Sequence, residues 1–224
     1  MNPSSQLFDT ALKEIPHYQS FPAMLPFVGG DYVSSDHSKL LIIGESFYFP
    51  EESYLHKDPL GWYSSDEKAL SEDEVAYINC RGLLECDWSS PGHKMYRELN
   101  ACLLELQLPS TDRPVSHVGF TNAFLRPARD NGGSFKACCS THDVDVSIDI
   151  LTKVITVLAP DSVIFASKYA WDVVGWRIEQ RFSDTTFSFV AHPTAHFFWN
   201  VDSYEHGRAK FIDLLKSWAA KQVA

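Results

Sequence analysis

Lys39-Leu40-Leu41-Ile42-Ile43-Gly44-Glu45-Ser46-Phe47-Tyr48 is the stretch that decides the fold. An unbroken apolar run ending in glycine is the pattern of a strand buried on both faces that runs into a tight loop. Three more segments, 115–121, 162–166 and 186–191, share that character. Between the first two, Met95, Leu99, Cys102, Leu103 and Leu106 recur at the three- and four-residue spacing of one buried helix face. Between the second and third, Ile148, Leu151, Ile155 and Leu158 do the same, after a cap expected at Thr141 and before Pro160. Segments 168–179 and 205–221 supply two further helices. Four strands alternating with helices predict an α/β fold with parallel pairing and right-handed crossovers.

The 224 residues suit a single domain spanning 1–224. The stretch at about 50–92 interrupts the alternation, is acidic around residues 66–74, and reads as an irregular surface insertion. Residues up to 26 read as a short helix and a proline-rich approach to the first strand. No segment reaches the roughly 18 apolar residues of a membrane span, and no export signal is legible, so a cytoplasmic protein without membrane contact is expected. The five cysteines, Cys80, Cys86, Cys102, Cys138 and Cys139, lack C-x-x-C spacing and are expected to be reduced thiols. Cys138, Cys139 and His142 fall short of the four ligands that zinc usually takes, so no metal is expected. The net charge of −10 opposes binding to a polyanion.

In an open parallel sheet, ligands gather at the carboxyl ends of the strands. Three loops are expected there: Gly44-Glu45-Ser46-Phe47-Tyr48-Phe49-Pro50, Thr121-Asn122-Ala123-Phe124-Leu125-Arg126-Pro127, and His192-Pro193-Thr194-Ala195-His196. In this order they resemble the uracil-DNA glycosylase superfamily, closest to the branch whose first motif begins Gly-Glu. Leu41-Ile42-Ile43-Gly44-Glu45 looks like the first motif, Phe120 to Pro127 like the second, and His192-Pro193-Thr194 like the third. The resemblance implies a three-layer α/β/α fold around a central short parallel four-stranded sheet. It implies binding of an extruded base, or of DNA carrying one, with hydrolysis of the N-glycosidic bond and no cofactor. Only Cys138 stands where one of the branch's four iron–sulfur cysteines could be matched, so no cluster is expected.

The roles follow from residue chemistry. Asn122 donates and accepts at once and suits a uracil-like edge. His192 is suited to stabilise charge on the departing base, while Glu45 or Ser46 holds the water. Gly44, Tyr48 and Thr194 complete the binding set, and Trp88 is the expected stacking platform, with Tyr48 and Trp62 competing. Arg126 and the wedge Phe197-Phe198-Trp199 are the expected DNA contacts, on a rim where Arg126, Arg129 and Lys136 face Asp130. Two features depart from the family pattern: Phe47 stands where relatives commonly carry proline, and Ser46 where they carry Asp, Asn or Ala. Two rivals remain open. One is an esterase-like hydrolase with Ser46 as nucleophile and Asp202 and His206 as its partners; the other is a base-binding module without turnover.

Overall fold

The computed structural model describes residues 4–50, 52–108, 113–128, 133–201 and 205–220. The fold is α/β, on a mostly parallel five-stranded sheet. Its strands are β1 (Phe27–Val28), β2 (Leu40–Tyr48), β3 (Val118–Ala128), β4 (Ser162–Phe165) and β5 (Thr186–Phe189), in the spatial order β1-β3-β2-β4-β5. The four expected strands pair in parallel. The sheet is corrected from four strands to five: Phe27 and Val28, directly after the proline-rich approach, pair antiparallel with Phe120 and Gly119 at its edge.

A second correction concerns where β2 and β3 stop. Gly44 to Tyr48 and Asn122 to Pro127, expected as loops, are strand, with Gly44 opposite Asn122 and Ser46 opposite Phe124. The pairing of β2 with β4 ends at Ile43 and Phe165, so β2 and β3 continue together beyond the end of β4. A crevice opens on the β4 side of β2. It lies where the chain, having crossed from β2 to β3 on one side, returns to β4 on the other, which is the topological switch point of an open parallel sheet. The strand expected at 115–121 begins later than expected, since Pro114–His117 is a 3-10 turn and β3 starts at Val118.

Helix Lys94–Leu104 buries Met95, Tyr96, Leu99, Cys102 and Leu103 and packs against helix Arg208–Ala219. Helix Thr141–Leu158 lies on β3. Its cap is Ser140 and not Thr141: the Ser140 side chain accepts from the Asp143 backbone while the Asp143 carboxylate accepts from Ser140, a reciprocal capping box. Ala159 closes the helix at φ 43°, and Pro160 prevents its continuation. The helix at 168–179 forms as expected but contains a π turn at Trp171–Gly175.

The stretch 50–92 is neither irregular nor superficial. Its described residues form helices at Pro59–Tyr63, Glu72–Ile78 and Cys80–Glu85, and bury Trp62, Ile78, Cys80, Leu84 and Trp88 in the core. Trp62 stacks on Phe21 with centroids 4.6 Å apart, so this segment and the N-terminal helices cover one another. Its acidic residues mark the outer faces of short helices whose apolar sides point inward.

Nearby, His17 lies between Phe21, stacked at 5.1 Å, and Met24, whose sulfur is 3.3 Å from Nε2. Burial lowers its pKa from 6.5 to about 3. A histidine held below its unfolded value binds fewer protons folded than unfolded, so stability falls as pH drops through 6.5 toward about 3. Between neutrality and pH 5 this one group should cost the fold about 2 kcal/mol. Urea unfolding at the two pH values is expected to show that loss in the wild type and a smaller one in His17→Phe; equal losses in both proteins would contradict it.

Candidate active site

Alternation along β2 sends neighbouring side chains to opposite sides of the strand. Glu45 turns toward the crevice on the β4 side. Its Oε1 accepts from Ser134 Oγ and the Phe135 backbone N–H, both at 2.8 Å, and its Oε2 accepts from Ser167 Oγ at 2.5 Å. Ser167 follows β4 and also caps the next helix by accepting from the Ala170 backbone at 3.2 Å. A carboxylate offers about four lone-pair sites, so three donors leave roughly one free. Glu45 is 5% exposed, and its site lines a cleft of about 490 Å³ together with Tyr48, Ser167, Tyr169, His192 and Phe198.

Ser46 faces the other way. It lines a second cleft of about 440 Å³ with Phe47, Tyr48, Met95, Tyr96 and His192. Its Oγ is buried and has no hydrogen-bond partner among the described residues. Tyr48, His192 and Thr194 belong to both clefts and form the ridge between them. Burial, aided by the charge of Glu45, pushes the Tyr48 hydroxyl up to about 12, so it remains a donor at neutral pH.

His192 follows β5, and the Pro193 ring favours an extended backbone at the preceding residue. The Thr194 backbone N–H donates to its Nδ1 at 3.2 Å, and the Thr194 hydroxyl lies 2.8 Å from the same atom. A ring nitrogen that accepts a backbone N–H carries no proton of its own, so the neutral imidazole keeps its proton on Nε2. Burial lowers the His192 pKa below its ordinary 6.5, against the opposing charge of Glu45. At neutral pH His192 is therefore an uncharged donor.

No protein-family model matches this chain, and neither does any curated protein.

The structure thus brings Glu45, Ser46, Tyr48, His192 and Thr194 together at the strand ends. It does not place the remaining candidates there. Arg126 is 0% exposed: it pairs with Asp143 through Nε and Nη2, both at 2.7 Å, and donates to the carbonyls of His56 and Cys138. As a DNA contact it is corrected to a core residue. Trp88 is corrected likewise, because it is buried, its Nε1 donates to the Leu83 carbonyl, and the Arg113 guanidinium covers its ring at 4.7 Å. Trp62 is fully buried against Phe21. Gly44 and Asn122 lie beneath the clefts, with Asn122 1% exposed. Phe198 reaches the first cleft, while Phe197 is 68% exposed outside both and Trp199 is buried.

Arg129, Asp130 and Asp202 lie outside the described residues. His206, the rival hydrolase's base, lines neither cleft; its Nδ1 is 2.9 Å from Lys210 Nζ and its ring 4.3 Å from Phe189. Sequence reasoning missed Ser134, Ser167, Tyr169, Met95 and Tyr96. Ser167, at the end of the penultimate parallel strand and opening a helix, is the one whose position alone could have found it.

Proposed function

We propose that this protein hydrolyses the N-glycosidic bond of a nucleobase, in the manner of the uracil-DNA glycosylase superfamily that its motifs resemble. The observation that carries the reading is the position of His192, a neutral Nε2–H donor on the ridge between one cleft holding a carboxylate and another walled by aromatics. A bound base occupies the second cleft against Tyr96 and Phe47, and its sugar the first, beside Glu45. The C1′–N bond lengthens across the ridge, its electron pair passes to the base, and His192 donates a hydrogen bond to the oxygen on which charge grows. Glu45 faces the cationic sugar, and its remaining lone pair holds the water that adds to C1′ and accepts the proton which that water gives up. The net charge of −10 favours nucleosides or single-stranded DNA over duplex. The three-layer α/β/α arrangement belongs to the same proposal.

The test is base release, followed by chromatography at low salt, from deoxyuridine, deoxyinosine, and single- and double-stranded oligonucleotides carrying uracil or hypoxanthine. Release that His192→Ala slows about 10²–10³-fold is the expected result. A wild-type protein that binds a base without releasing it from any of these substrates would instead be the binding module.

A further inference from the structure

Asn122 is buried, and neither its Oδ1 nor its Nδ2 has a hydrogen-bond partner among the described residues. Each such unpaired group costs about 1–3 kcal/mol, and proteins seldom keep one without a use for it. Its surroundings explain the vacancy. The point where a Cβ on Gly44 would sit is 2.3 Å from Asn122 Oδ1, 3.0 Å from Met95 Cε and 3.0 Å from Phe120 Cζ. The absent side chain of Gly44 thus leaves room that the amide, a methyl group and a ring edge fill, so the Met95 methyl group packs beside the amide. Met95 also lines the second cleft, where Ser46 presents its own unpaired Oγ. Met95 thus lines the cleft while its methyl group packs against the site of the amide.

We propose that Met95 is a movable plug that decides which ligands reach Asn122, and so a specificity-determining residue. The inference rests on the nucleobase reading above. Methionine suits the task because it is unbranched, with three rotatable bonds and a polarisable sulfur that repacks easily. It stands in the first turn of helix Lys94–Leu104, directly after the 3-10 turn Pro91–His93. A planar ligand with an N–H beside a C=O displaces the thioether and pairs with both ends of the amide. A ligand without that edge leaves the amide unpaired and gains nothing from moving the plug, which is how buried polar groups discriminate most sharply. In the closed form the plug lowers apparent affinity by the fraction of molecules that are open.

The experiment uses the full chain with Met95→Ala, Met95→Leu and Asn122→Ala. One readout needs no ligand: hydrogen exchange of the Asn122 side-chain amide, followed by 15N NMR. The other is calorimetric affinity for free uracil and for N3-methyluracil. Met95→Ala is expected to speed the exchange and to tighten uracil about tenfold, as expected for a plug closed about 90% of the time. Asn122→Ala should remove that gain, and N3-methyluracil should show none. Met95→Leu keeps the volume and the fold, but its branched side chain folds back less readily, so slower exchange and weaker uracil binding are expected. Unchanged exchange and unchanged affinity in both Met95 variants would overturn the plug. Faster exchange in Met95→Ala with no uracil bound by any variant would uphold the plug and overturn the nucleobase reading.

Discussion

Asp143→Ala should destabilise the protein by about 3–5 kcal/mol, because it leaves the Arg126 guanidinium charged, buried and without its carboxylate. Both side chains are fully buried, and two hydrogen bonds of 2.7 Å join them. Burial alone would push the Asp143 carboxyl up, but hydrogen bonds from Arg126 and Ser140 outweigh it and hold the group below its ordinary value. The pair is also a junction. Through Arg126 it ties β3 to the His56 and Cys138 carbonyls, and through Asp143 it fixes the first turn of helix Thr141–Leu158 and accepts from the Tyr63 hydroxyl at 3.1 Å. Since domains are stable by only about 5–15 kcal/mol, this loss should bring the unfolding midpoint in urea down sharply. A change under about 1 kcal/mol would mean that water reaches the pair. The linkage has a definite sign: a carboxyl with a depressed folded pKa contributes stability above its unfolded pKa and loses it as pH falls through the folded one. Asp143→Ala should accordingly flatten the acid limb of stability.

His192→Ala should lower the rate of base release by about 10²–10³-fold, the size expected when one pre-positioned donor to a developing oxyanion is removed. The binding of free base should change far less, because the donor acts chiefly as charge builds. The pH profile separates this role from a structural one. Burial holds His192 below 6.5, so its neutral form, with the proton on Nε2, persists into mildly acidic solution. Activity should therefore survive below pH 6.5 and decline only at more acidic values. Thr194→Val removes the hydroxyl at 2.8 Å from Nδ1 but keeps the backbone donor, and a modest loss with a shifted acid limb is expected. A wild-type acid limb centred at 6.5 would contradict the half-buried, neutral histidine.

The sequence by itself determined the elements that repeat a simple pattern. Leu40 to Ile43 and Ser162 to Phe165 are short, largely apolar runs, Thr186 to Phe189 alternates polar and apolar residues, and the spacing of Met95, Leu99, Cys102 and Leu103 makes one helix face. Periodicity is a local property, so the parallel α/β class could be read from it. Only the tertiary structure decided where the strands end and which polar residues face a cleft. Gly44 to Tyr48 remain strand because β3 continues beside them past the end of β4, a pairing between segments more than seventy residues apart. Arg126 sits in a motif that looks like surface chemistry, yet Asp143 on a separate helix takes it into the core. Trp88 and Trp62 are aromatic wherever they fall in sequence, and it is Arg113, Leu83 and Phe21 that cover them. A side chain's partner is set by three-dimensional proximity, which the periodicity of a single segment does not encode, and the site is made of such partners.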